Sequence, residues 1–148
     1  MKDMIDLDPG MSIILRVPLK IRPNDADIIE RIVSCISTHN FKTKSPPVSL
    51  EAKILYDADK LDSIGAVGTG RSFMFAQQLG AKLHNHHLDI EKTREYSKDD
   101  TAYREYILKR RFVKDKLFTK EGKRIAKGRH DFMVEFFDRL NKEVDGDL

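Results

Sequence analysis

Asp57, Asp59 and Asp62 stand close together in the run EAKILYDADKLDSIGAVGTGRSF, residues 51–73. Such carboxylates can hold a divalent cation, pair with an arginine or meet a helix N-terminus, and burying one without any such partner is costly. At about 100° per residue on a helix, Asp57 and Asp59 project roughly 160° apart and cannot serve one centre. Asp59 and Asp62 are three apart and point in neighbouring directions. Asp59 is therefore the lead residue, either on a solvated helix edge or meeting a metal ion, an arginine or a helix N-terminus. Gly65, Gly68 and Gly70 follow, and then Arg71. GAVGTGRS matches the spacing of a phosphate-binding P-loop, with arginine where lysine belongs. A P-loop follows a buried strand, whereas DKLDSI is polar and helical in pattern, so the P-loop is rejected. The glycines are read as points of close helix approach, each costing up to about 1 kcal/mol relative to alanine, with Arg71 projecting a charge near that contact.

Helices must position these residues. Ser49 is a good N-cap, and Ile54, Ala58, Leu61 and Gly65 follow one stripe, with Leu55 and Ile64 at its flanks. Phe73, Phe75, Ala76 and Leu79 continue an apolar helix to about Leu83. Upstream, Asn24 can cap a helix reaching Thr38, with Asp25 and Asp27 in its first turn. Ile28, Ile29, Ile32, Val33 and Ile36 make its buried stripe. Cys35 lies among them as a packed thiol. KTKSPPVS is a polar loop, and His84 to Asp100 a polar connection. A helix over Thr101–Leu117 carries Tyr103, Tyr106, Ile107, Val113 and Leu117. Thr119 can cap the last helix, which buries Ile125, Phe132, Met133, Phe136, Phe137, Leu140 and Val144. Residues 1–25 form an irregular segment, with a turn at Pro9-Gly10, breaks at Pro18 and Pro23, and at most a short strand through Ile13, Ile14, Leu15 and Val17. The expected fold is all-α, a helical bundle.

The totals suit that reading. The chain has 148 residues, enough for one domain with a core. Charged residues make up 34% and hydrophobic residues 40%, a soluble and helix-compatible balance. A net charge of +3 does not demand a polyanionic partner. One cysteine excludes an internal disulfide and fits a reducing compartment. No apolar run approaches the roughly 20 residues of a membrane span, and Met11–Leu15 is too short for a signal peptide. A cytoplasmic protein without membrane contact is expected.

The run 51–73 resembles the closing segment of the HD-domain metal-dependent phosphohydrolases, in the small predicted-hydrolase branch. ERIVSCISTHNF resembles that branch's helix ending in a histidine, a small polar residue and phenylalanine. YILKRRFVKDKLFTKEGKRIAKGRHDFMVEFFDRLNKEV resembles its last two helices, so the likeness covers residues 26–144. The resemblance implies an HD-type bundle acting on nucleotides or other phosphate esters. It implies a divalent metal (manganese, nickel, iron, magnesium or cobalt in intact relatives) held by a histidine, a His-Asp pair and a distant aspartate. The last falls at Asp59, in Ala58-Asp59-Lys60-Leu61. His39 and Asp62 would stand in the outer shell or contact phosphate, Arg71 would neutralise phosphate charge, and Lys109 would face it.

The sequence departs from the family in one respect. No histidine precedes His39, and the one His-Asp dipeptide, His130-Asp131, lies downstream. One carboxylate cannot hold a catalytic ion that needs three or more ligands. Residues 26–148 are therefore expected to be the C-terminal part of a truncated HD domain, impaired or inactive as a hydrolase. Its stripes on residues 28–36 and 54–65 would lack cover, which predicts a homodimer or residues 1–23 folded over the gap. His84, His86, His87 and Asp89 could bind a transition metal but are read as a polar loop. The alternative function is a non-catalytic helical module binding nucleotide or nucleic acid through the basic helices of residues 104–129.

Overall fold

Hydroxyl side chains start three of the helices, as the sequence predicts for Ser49 and Thr119. Ser49 Oγ accepts from Ala52 N at 3.1 Å, Thr101 Oγ1 from Arg104 N at 3.0 Å, and Thr119 Oγ1 from Gly122 N at 2.9 Å. Each satisfies one of the amide donors that a helix leaves orphaned at its start. The computed structural model describes residues 26–39 and 45–147. The expected cap at Asn24-Asp25 and the irregular segment 1–25 lie outside them.

The described residues form α1 (Ala26–Thr38), α2 (Leu50–Asp62), α3 (Gly65–Gln78), a 3-10 turn (Ile90–Lys92), α4 (Ala102–Leu108), a 3-10 helix (Arg110–Lys116) and α5 (Lys120–Asp145). There is no strand among them, and the all-α expectation holds. α5 is the spine, packing against α2, α3 and the second 3-10 helix. The core gathers Ile64, Tyr106, Val113, Leu117, Ala126, Met133 and Phe137, with Phe73 and Phe136 packed against it. Tyr106 and Phe137 stack with ring centroids 4.4 Å apart. Burial raises the pKa of the Tyr106 hydroxyl, and Asp138 adds to the shift.

Several expectations are corrected. The run around the glycines is two helices. α2 stops at Asp62, and Gly65 turns the chain at φ +76°, in the left-handed region that favours glycine. A Cβ on Gly65 would also crowd the Arg129 side chain, whose guanidinium donates to Leu61 O at the end of α2. Gly68 meets the Ser63 backbone closely, whereas Gly70 has open space beside it. The helix over Thr101–Leu117 breaks at Lys109 (φ −132°, ψ −56°) and continues as the 3-10 helix. Three residues per turn align Arg110, Val113 and Lys116 on one face. α2 buries Ala52, Tyr56, Asp57 and Lys60, leaving Ile54 and Leu55 exposed. On α1, Ile28, Ile32 and Val33 are exposed. Among the described residues nothing covers these two stripes fully. Phe132 and Val144 on α5 are also exposed, because the helix offers a wider apolar band than its neighbours cover.

Candidate functional site

The two aspartates flanking Ala58 point to opposite sides of α2, as their spacing predicts. Asp57 is 3% exposed. Its Oδ1 accepts from Phe118 N at 2.9 Å, and its Oδ2 from Thr119 N at 2.7 Å and Thr119 Oγ1 at 2.6 Å. The carboxylate thus seats the start of α5, where the helix dipole favours negative charge. Glycine is favoured at 122, since a Cβ there would overlap Asp57 Oδ2 and force one of them to shift.

Asp59 faces a cleft of about 730 Å³ between α2, α3, α4 and the second 3-10 helix. Asp62, Arg71 and Lys109 line the same cleft, so four of the five candidate site residues come together. Arg110, Lys116, Phe75 and Tyr96 complete its rim. Every carboxylate named as a candidate has a cation beside it. Asp59 Oδ2 lies 2.5 Å from Lys60 Nζ, which also donates to His39 O at 3.2 Å. Asp62 pairs with Arg71. Lys109 Nζ reaches Glu105 at 2.6 Å and Glu95 at 3.0 Å. Burial opposes the charge on Lys109, but hydrogen bonds to these two glutamates outweigh it and raise its pKa.

His39 is not among the cleft residues. Its Nδ1 donates to Ile36 O at 2.5 Å, closing the end of α1, and only its carbonyl reaches toward the cleft through Lys60. His130 and Asp131 line a different groove on α5, and Asp131 pairs with Lys127 at 2.8 Å. At least five of the eleven basic residues in the stretch 104–129 are in ion pairs, Lys109 among them. Arg104 is buried on Asp100 at 2.9 Å, Arg110 meets Glu105, Arg124 meets Glu121 and Lys127 meets Asp131.

The residues present in the cleft do not by themselves fit a divalent metal. Asp59 and Asp62 are engaged by Lys60 and Arg71. Among the described residues no third histidine, cysteine or carboxylate converges with them, and the one group of three that converges is His86, His87 and Asp145. A catalytic ion typically needs three protein ligands in fixed geometry.

Sequence reasoning missed three features here. Tyr96 sits at φ +53°, the single non-glycine residue with positive φ among the described residues, and its ring meets Phe75 edge-on at 6.2 Å. The Arg110–Val113–Lys116 face follows from a three-residue spacing that is visible in the sequence but hidden when 101–117 is read as one α-helix. The role of Asp57 depends on Phe118 and Thr119, which no local pattern connects to it. His84 to Asp100 is also more organised than a polar connection. Asn85 Nδ2 donates to Asp99 O at 2.9 Å and Thr101 Oγ1 donates to Asn85 Oδ1 at 2.5 Å. Asp89 pairs with Lys92, away from the histidines.

No family model matches the chain. The Bacillus subtilis (strain 168) protein YpgQ is 35% identical over 121 residues, which are 79% of this chain and 53% of YpgQ. The chain thus spans about half the length of that curated relative. The crystal structure of selenomethionine YpgQ superposes with a TM-score of 0.69 at 31% identity, over 99% of this chain and 70% of that one. YpgQ in complex with ADP gives 0.64, over 97% and 65%. A Bacillus thuringiensis HD-superfamily hydrolase, 21% identical, gives 0.68 over 97% and 67%. No described helix is long and apolar enough to cross a membrane. The chain belongs to the family of YpgQ, and its fold is the helical bundle of the HD-superfamily hydrolases.

Proposed function

We propose that the cleft is the phosphate-binding site of an HD-type phosphohydrolase domain, taking nucleotides or other phosphate esters, and that this chain binds them with impaired hydrolysis or none. The observation that carries the reading is the meeting of Asp59, Asp62, Arg71 and Lys109 in one cleft. Arg71 is exposed and tied only to an exposed carboxylate, so its guanidinium can exchange Asp62 for a phosphate with little desolvation. Lys109 adds a point charge that its two glutamates keep protonated. Phe75 and Tyr96 offer ring faces at the rim, where a nucleobase can stack. That YpgQ forms a complex with ADP supports a nucleotide over other esters. Asp59 is the one metal ligand of the family pattern within the described residues, which supports impaired chemistry.

Titration calorimetry with ADP tests binding. Binding by the unaltered chain, weakened about 10-fold or more by Arg71→Ala and by Lys109→Ala, supports the reading. Binding indifferent to both changes overturns the assignment of the cleft. Phosphate release from nucleotides with manganese, nickel or magnesium tests the chemistry. Sustained turnover abolished by Asp59→Ala would overturn the expectation of impairment and leave the binding site standing.

A further inference from the structure

A second cluster of ligand-type side chains lies at the end of α5, and none of its members lines the Asp59 cleft. His86 Nε2 is 2.9 Å from Asp145 Oδ1, and His87 Nε2 is 3.8 Å from the same oxygen. One donor atom from each of the three residues lies within 4.8 Å of the others. Ligands placed about 2.0–2.2 Å from a tetrahedral zinc ion stand roughly 3.3–3.6 Å apart, so the measured spacings straddle what coordination requires.

Three further observations point to an ion. His87 Nε2, at 3.8 Å, is beyond hydrogen-bond distance of Asp145 Oδ1, whereas His86 Nε2 would exchange its 2.9 Å hydrogen bond to Asp145 for the ion. Nδ1 of His84 and Nδ1 of His86, on the other side of each ring, are buried without a partner and mark a place where water belongs. The cluster is also assembled in advance. Asn85, immediately before His86, is held by Asp99 and Thr101, and His84 Nε2 meets Asn141 Oδ1 at 2.7 Å on α5. The His84 and His86 rings stack at 4.6 Å, and the His86 and His87 rings at 3.8 Å. Lastly, His87 is 70% exposed, which leaves one side open for an ion to arrive.

We propose that His86, His87 and Asp145 bind a divalent transition-metal ion of the zinc class, which pins the loop after α3 to the C-terminal end of α5. Two imidazoles and one carboxylate suit zinc, nickel, cobalt or copper. Calcium and magnesium, which prefer all-oxygen shells, are poor matches. Water fills the remaining position. The proposal is independent of the phosphate reading of the cleft, since the two share no residue.

The test uses the full chain, freed of any polyhistidine tag, stripped with a chelator and titrated with zinc(II). Cobalt(II) serves as a spectroscopic probe. The expected result is one ion per chain, with the intense visible bands of four-coordinate cobalt. His87→Ala and Asp145→Asn should each weaken uptake by about 10-fold or more, and Asp59→Asn should leave it unchanged. Zinc should raise the melting temperature of the unaltered chain and not that of His87→Ala. His87 is a surface residue, so its replacement keeps the fold and a negative result is interpretable. No uptake of either ion, uptake insensitive to both His87→Ala and Asp145→Asn, or uptake lost with Asp59→Asn would each overturn the proposal.

Discussion

The two sides of α2 put the same residue type to opposite uses. Toward α5, Asp57 is buried and accepts three hydrogen bonds from Phe118 and Thr119. Toward the cleft, Asp59 is about half exposed and has one lysine beside it. The first carboxylate has its partners supplied by the fold. The second keeps about half its surface open to the cleft. An acidic residue within this motif is therefore not functional by virtue of its type; what separates the two is whether backbone amides have already claimed the oxygens.

That contrast can be broken at Asp57 first. Asp57→Ala leaves two part-buried amide donors and a hydroxyl without an acceptor, and should cost about 3 kcal/mol in urea denaturation. A loss no larger than that of an exposed aspartate would erase the distinction. Gly122→Ala attacks the same contact from the other side. Its Cβ overlaps Asp57 Oδ2, so a loss of roughly 1–3 kcal/mol is expected from the forced shift. Thermal melts of Gly122→Ala in the Asp57→Ala background sharpen the comparison, because the penalty should shrink once the overlapping oxygen is gone.

Asp59→Ala should cost about 1 kcal/mol, less than Asp57→Ala, since it takes the carboxylate from the buried Lys60 ammonium but leaves that ammonium its bond to His39 O. A cost near that of Asp57→Ala would make Asp59 structural as well. The smallest effect comes from α5 itself. Burial lowers the pKa of His130; Lys114 lowers it further, and Asp131 and Asp115 oppose the shift. A histidine with a depressed folded-state pKa binds its proton more readily when unfolded, so stability falls as pH drops below the ordinary value of about 6.5. Melting temperatures measured from about pH 7 to about pH 5 should fall less in His130→Gln than in the unaltered chain. Equal slopes would remove His130 as the cause.

The sequence made the helices legible because their caps and stripes are local. Ser49, Thr101 and Thr119 mark their helix starts, and Met133 and Phe137 are in the core. Asp59, Asp62, Arg71 and Lys109 were also legible as a group, through a resemblance whose motif is itself continuous in sequence. What could not be read depended on distant partners. Asp57 needs Phe118 and Thr119, and the histidines need Asp145, which takes the place that sequence proximity had offered to Asp89. The break at Lys109 was missed for a different reason: apolar spacing over 101–117 fits an α-helix and a 3-10 continuation almost equally well.

The Asp57 contact also bears on how the chain folds. It joins residues 61 and 62 positions apart, so a long loop must close before the start of α5 is seated. Closing a loop of that length costs entropy before the contact can repay it. Weakening this contact should mainly speed unfolding and leave the refolding rate nearly unchanged. The carboxylate that fixes where the longest helix begins would then act as a latch on the finished molecule, setting how long the bundle lasts rather than how quickly it is made.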